Sequence, residues 1–133
     1  MLVEVFQTPD NVNQRVFVKS RPGLATVYTT NNAVGRGCYY WVVSGTGYII
    51  SVSGDKVYSN GTLVQTLTTS TGEVGFTEFV SSTGTVTLVM LDGTKGYVFS
   101  TPTTAPTEIT DVDFPTPHIP MPIFLDGYLF VAK

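Results

Sequence analysis

An all-β fold built from antiparallel, four-stranded repeats is what the sequence predicts, and three observations predict it. The first is composition. Threonine (21) and valine (19) supply 40 of the 133 residues, whereas alanine (4) and leucine (8) are scarce. β-Branched side chains fit a pleated surface and lose rotamer freedom in a helix. The second is punctuation, with thirteen glycines and eight prolines breaking the chain into short pieces. The third is an internal repeat of about 40 residues, a length typical of a four-stranded propeller blade.

The elements follow in chain order. Residues 1–13 open on an apolar stretch and end in the turn signal Thr8-Pro9-Asp10-Asn11. Arg15 to Lys19 reads as a short strand, broken by Ser20-Arg21-Pro22-Gly23, and Leu24 to Thr29 as a further extended piece before a turn at Asn31-Asn32. Gly35 to Val43 reads as a mostly apolar strand around Tyr39-Tyr40-Trp41, closed by Ser44-Gly45-Thr46-Gly47. Tyr48 to Val52 alternates, placing Tyr48, Ile50 and Val52 on one face. Gly54-Asp55 turns the chain into Lys56-Val57-Tyr58. Asn60-Gly61, the strongest hairpin signal present, leads into Thr62 to Leu67.

A second set repeats the first. Val74 to Val80 is a strand and Ser81 to Gly84 a turn. Val86 to Leu91 is a strand with Val86, Leu88 and Met90 on one face. Asp92-Gly93 turns into Gly96 to Phe99, and Glu108-Ile109-Thr110 closes the set. At an offset of 39 residues, Gly45, Thr46, Gly54, Lys56, Tyr58 and Thr62 match Gly84, Thr85, Gly93, Lys95, Tyr97 and Thr101. The identities fall at turns and strand positions, where a fold would enforce them.

A third unit begins after a stiff connector marked by Pro115, Pro117, Pro120 and Pro122. Ile123-Phe124-Leu125, Asp126-Gly127 and Tyr128 to Val131 read as strand, turn and strand. The last is apolar enough to expect cover on both faces. The predicted organisation is therefore an irregular N-terminal arm with short strands (1–34), a first blade (35–70), a second blade (71–114), and a proline-rich connector with the start of a third blade (115–133). That is an incomplete propeller of two blades and part of a third. Open edges and uncovered apolar faces invite association. Further polypeptide, partner copies, or a packing unlike a propeller would each resolve them.

Bulk charge narrows the partners. The net charge is −3, and the seven Lys and Arg are spread from Arg15 to Lys133. Tight DNA binding draws on clustered cations and counterion release, so the charge argues against tight, stationary DNA binding and leaves room for DNA passing through rather than tightly bound. One cysteine, Cys38, allows no intrachain disulfide. The N-terminal residues lack the pattern of a signal peptide, and no apolar run approaches the ~20 residues of a membrane helix. The expectation is synthesis in a reducing cytoplasm without a membrane anchor.

Candidate sites are few. Tyr39 and Trp41 share a strand face and could form a sugar-stacking platform, although core packing between sheets is the favoured role of such large rings. Asp111 and Asp113 could ligate a metal, but the other oxygen ligands of a calcium loop are missing and a capped turn is favoured. His118 lies in the connector without identifiable catalytic partners. Cys38 reads as a buried structural thiol, with Arg36 on its face if the strand is regular. No phosphate loop, zinc-protease helix or paired Cys-x-x-Cys occurs. The sequence thus points to no enzyme, no cofactor and no metal.

One resemblance gives these features an order. Arg21-Pro22-Gly23-Leu24 after an irregular arm is followed by Gly35-Arg36-Gly37, Val52-Ser53-Gly54-Asp55-Lys56-Val57-Tyr58 and Asp92-Gly93-Thr94-Lys95-Gly96-Tyr97-Val98. Ile109 to Pro115 then leads into Phe124-Leu125-Asp126-Gly127-Tyr128-Leu129-Phe130. Over residues 15–133 this resembles the N-terminal part of the packaged-DNA stabilisation, or tail hub (nozzle), proteins of short-tailed bacteriophages. The resemblance implies a virion structural protein of the phage tail, made in the bacterial host cytoplasm. It also implies a ring of copies of itself, six in number, that contacts the portal or adaptor and other tail proteins and helps retain packaged DNA. This chain is much shorter than family members and corresponds to their first third. The alternative is a glycan- or receptor-binding β module of a phage or bacterial surface structure.

Overall fold

The computed structural model of the chain describes the backbone of Leu2–Phe6 and Arg15–Lys19, and residues 25–133 except positions 32 and 82. The fold is all-β, with no helix among the described residues. Strands β1 (Leu2–Phe6) and β2 (Arg15–Lys19) pair antiparallel. A first four-stranded antiparallel sheet then runs in chain order through β3 (Gly35–Val43), β4 (Thr46–Ser53), β5 (Lys56–Ser59) and β6 (Thr62–Thr66). A second follows in the same order with β7 (Gly75–Val80), β8 (Val86–Leu91), β9 (Gly96–Phe99) and β10 (Thr107–Glu108). A two-stranded hairpin, β11 (Ile123–Leu125) and β12 (Tyr128–Phe130), ends the chain. The turn signals at Thr8–Asn11 and Ser20–Gly23 lie outside the described residues.

Turn chemistry sets these registers. Ser44-Gly45, Asn60-Gly61 and Asp126-Gly127 each place two successive residues at positive φ, between 46° and 86°. This is the mirror-image turn whose twist suits a two-residue hairpin. In the two-residue loop between Ser53 and Lys56, Gly54 alone takes positive φ (56°). The expected third strand of the first sheet gains Ser59, and the last strand of the second sits at Thr107–Glu108 rather than Glu108–Thr110.

The two sheets pack against each other around one core. Trp41, Ile50, Val52, Val57, Leu67 and Val74 meet Leu88, Met90, Tyr97 and Phe99. Trp41 and Phe99 form an edge-to-face pair at 6.3 Å, and Tyr39 stacks on Phe76 at 5.8 Å. Such aromatic pairs add to the energy of area burial. The predicted common face of Tyr48, Ile50 and Val52 is turned into this core, as is that of Leu88 and Met90.

The way the faces are turned is informative. Ser51 pairs with Tyr58 in the first sheet, and Met90 pairs with Tyr97 at the equivalent place in the second. Met90 and Tyr97 face the first sheet, whereas Ser51 and Tyr58 lie on the face turned away from the second. Conversely, core residues Val52 and Val57 correspond to Leu91 and Gly96, which face away from the first sheet. Equivalent faces therefore point the same way. The front of the first sheet rests on the back of the second.

The chain continues that order. The front of the second sheet is covered by the C-terminal segment. Phe124 of β11 packs on Phe79 at 5.7 Å, the Pro120 carbonyl and Pro122 crowd Gly75, and Phe114 and Ile109 crowd Gly96. Leu91 and Val89 are consequently buried. His118 fastens the connector: its backbone N–H donates to the Gly93 carbonyl (2.9 Å), and its ring meets Phe114 edge-on. The expected cover on both faces of the last strand is not found. Leu129 is half-buried, but Tyr128 and Phe130 are exposed, because nothing follows the front of the hairpin among the described residues.

Arg36 ties the stack together. Gly35 pairs with Ser53 and Gly37 with Val52, leaving Arg36 as the extra residue of a bulge. Its buried guanidinium donates from Nε to the Gly72 carbonyl (2.8 Å) and from Nη1 to the Gly54 (3.0 Å) and Thr69 (2.9 Å) carbonyls. Nη2 donates to Thr69 Oγ1 (3.0 Å), and that hydroxyl donates in turn to Asp92 Oδ2 (2.8 Å). One side chain so joins the β4–β5 turn, the link between the sheets and the turn before β9. Replacing it with a neutral chain, Arg36→Met, strands three carbonyls and should cost on the order of 3 kcal/mol. Arg36→Lys, with one point charge for a planar fork, should recover less than half. Urea denaturation of the three proteins measures both; equal stability of wild type and Arg36→Met would contradict the role assigned to the clasp. Gly127→Val, which forces a β-branched residue into φ 86°, should cost about 1–2 kcal/mol, read as a lowered Tm.

Candidate functional site

The surfaces left open by this stacking are its two ends. The outer face of the first sheet carries Cys38, Tyr40 and Val42 from β3, Ile49, Ser51 and Ser53 from β4, and Leu63 from β6. Tyr28, Thr30, Ala33 and Val34 cover the end of this face near Ser53. Ser53 Oγ donates to the Ala33 carbonyl (2.9 Å), Gly54 N–H donates to the Val34 carbonyl (2.8 Å), and Tyr28 lies against Gly61. The other end is bare: Tyr40 is 65% exposed, and Val42 and Leu63 about half. Tyr40 lies across Gly47, which has no side chain to displace it.

The opposite end is the front of the β11–β12 hairpin. Ile123 pairs with Phe130 and Leu125 with Tyr128, so these four side chains share one face. All four are exposed, Tyr128 by 70%. Met121 and Ile119 extend the apolar character along the connector. The side chains named are uncharged; Lys56, opposite Ser53 at the covered end of the first face, is paired with Asp55 at 3.0 Å.

Between the sheets, the electrostatics centre on Asp92. Burial pushes its carboxyl up, but donors from Lys95 N–H (2.6 Å), Thr94 N–H (2.9 Å), Thr69 Oγ1 and Thr94 Oγ1 together outweigh it, and the group sits below its ordinary value. Tyr97 is pushed up to about 12, first by burial and then by the charges of Asp92 and Glu108. Tyr39 is raised by burial and by Glu78, whose Oε1 accepts its hydroxyl proton at 3.1 Å. A cleft of about 670 Å³ opens beside the clasp, flanked by Val34, Asp55 and Glu73. The Arg36 donors on this side are already bound to carbonyls, so the cleft presents no ready anion site.

The residues singled out from sequence fall as follows. Trp41 is fully buried between the sheets, and Tyr39 is half-buried beneath Phe76. The ring that β3 offers to solvent is Tyr40. Asp111 and Asp113 are exposed in a turn, where Asp111 Oδ1 accepts the Asp113 N–H at 2.8 Å. No group of three His, Cys, Asp or Glu gathers to hold a metal among the described residues. His118 is buried, and its Nδ1 lies 2.9 Å from the Pro115 carbonyl. Cys38, expected as a buried thiol, is exposed on the outer face of the first sheet. Alternation puts Cys38 on the same face of β3 as Tyr40, and that is the outer face; the bulge accounts only for Arg36, which falls out of step with Cys38 and points into the clasp. No helix among the described residues is long and apolar enough to cross a membrane.

No known family, curated protein or solved structure matches this chain.

The shifted groups fix the pH response. Asp92 is depressed in the folded state, so its contribution is present above the unfolded value of about 3.9 and is lost as the pH falls through the folded value. Asp92→Asn should flatten the acid limb of stability measured by urea denaturation. Tyr97 is raised in the folded state, so ionisation of the unfolded chain erodes stability as pH rises from about 10. Tyr97→Phe should flatten the alkaline limb up to about 12.

Proposed function

We propose that the chain is a structural component of a phage virion, the opening part of a propeller-like tail hub that attaches to the portal or adaptor and retains packaged DNA. The observation that carries the proposal is the uniform direction of the stack. Sheets related by a two-fold axis would bring equivalent faces together. Blades set around a propeller axis place the front of each on the back of the next, as the two sheets and the hairpin do here. The segments that resemble the tail hub proteins sit at the working points of this stack. Gly35-Arg36-Gly37 forms the clasp bulge, Gly54-Asp55 and Asp92-Gly93 the turns it ties, and Asp126-Gly127 the hairpin turn.

In this reading the work is mechanical. Ring and channel walls need extensive packing surfaces, which the two apolar ends supply. A wall that DNA slides past should carry few cations, because attraction at each phosphate adds drag. The net charge of −3 and the scattered Lys and Arg agree with that demand.

Mass spectrometry of purified short-tailed particles from a host carrying this gene tests the reading. The chain should be present in fixed stoichiometry to the portal. Its absence from intact particles would overturn the virion assignment. In filter binding with duplex DNA at physiological salt, no complex should form below micromolar protein. Sub-micromolar binding would remove the conduit. Selective binding on a glycan array, lost in Tyr40→Ala, would replace the hub with a recognition module.

A further inference from the structure

We infer that the two open faces are complementary halves of one interface, through which a second copy of this chain stacks head to tail. The exposed front of the β11–β12 hairpin would dock on the exposed outer face of the first sheet of the next copy. The inference deepens the ring-forming reading above and rests on it in one respect only, that copies meet.

The occupant follows from continuity with an interface already present. Within one copy, front-on-back packing occurs at two successive places: first sheet on second, and second sheet on hairpin. The hairpin repeats the register of β3 and β4. Leu125 pairs with Tyr128 across Asp126-Gly127 as Val43 pairs with Thr46 across Ser44-Gly45. Ile123 and Phe130 accordingly stand where Trp41 and Tyr48 stand in the first sheet, and Trp41 and Tyr48 both pack on the back of the second sheet.

The receiving face is defined in the same way. On β7 and β8, the back turned toward the first sheet carries Phe76, Glu78, Val80, Leu88 and Met90. The register places Cys38, Tyr40, Val42, Ile49 and Ser51 at the equivalent positions of the first sheet. That is the face whose β3 side chains are exposed. The hairpin front is a free front and the first sheet a free back, each matching by register a surface packed elsewhere in the same molecule; the charge on that back is Lys56, opposite Ser53 at its covered end and paired with Asp55. Because the two surfaces differ, the contact is heterologous. It leaves one free front and one free back on every dimer, so growth continues until a ring closes.

Sedimentation velocity on the full chain and two charge variants tests this. The wild type should grow beyond dimers with concentration. Tyr40→Asp spoils only the back and Leu125→Asp only the front, so each alone should be monomeric. Their equimolar mixture should stop at a one-to-one dimer, because one intact front meets one intact back. Circular dichroism checks that both variants keep their strand content, as expected for changes at exposed positions. A wild type monomeric at every concentration would overturn the inference. So would assemblies that survive in either variant, or a mixture that stays monomeric. The result separates from the hub assignment: a chain found in particles but monomeric in solution loses this interface alone, and a chain that assembles but is absent from particles loses the hub alone.

Discussion

The Arg36 clasp is the constraint on which the arrangement of the sheets depends. A guanidinium taken out of water costs several kcal/mol unless its donors are satisfied. Here four hydrogen bonds meet that demand, to Gly54, Thr69 and Gly72 carbonyls and to Thr69 Oγ1. The carbonyls belong to a turn and to the link between sheets, segments whose backbone acceptors have no ladder partners of their own. The side chain thus completes the hydrogen bonding of backbone that leaves one sheet and enters the next. Asp92 balances the charge through Thr69, which places the second sheet's turn in the same network. Moving one sheet relative to the other would break several of these bonds at once.

That fixed relation has a directional consequence. The link from β6 to β7 is short, and the Arg36 carbonyl accepts the Val74 N–H at 3.0 Å, so the second sheet starts where the first one started. Gly37 accommodates the approach, since a Cβ there would strike the Val74 carbonyl. Each sheet is laid down in the same strand order and with the same face forward. The proline connector repeats the step, with Gly75 accommodating the Pro120 carbonyl as Gly37 does that of Val74.

Much of this was legible in the sequence because it is written in local chemistry. Tight turns announced themselves as Asn60-Gly61 and Asp126-Gly127, and alternation placed Tyr48, Ile50 and Val52 together. The repeat at offset 39 marks the equivalent positions of β4–β5 and β8–β9, whereas β3 and β7 correspond at offset 38 because the loop after β7 is longer. What could not be read was which face of each repeat is covered. Val86-Thr87-Leu88-Val89-Met90-Leu91 looks the same whether one face or two are buried; it is covered on both because two different neighbours lie against it. Cys38 misled for a related reason. Its parity puts it on the face of Tyr40, and nothing in the sequence says that this is the face of β3 the second sheet leaves open. The aromatic triplet named the right strand, yet only the neighbour's position decides that Trp41 is buried and Tyr40 is open.

The unequal ends follow from the same logic. In a two-fold sandwich each sheet hides its apolar face and shows its polar one, and the molecule is complete. In a directional stack every interior sheet must be apolar on both faces, as the second sheet is with Leu88 and Met90 behind and Val89 and Leu91 in front. The end members inherit the same pattern but have one neighbour fewer among the described residues. The first sheet softens its free back with Ser51 and Ser53 and lays Ala33 and Val34 across part of it. The hairpin makes no such concession: Ile123, Leu125, Tyr128 and Phe130 form an unbroken apolar front. Burying an apolar side chain of this size is worth roughly 1.5–3 kcal/mol, so four together give a strong drive to find cover, and a free back built to the same register is the surface the fold itself supplies.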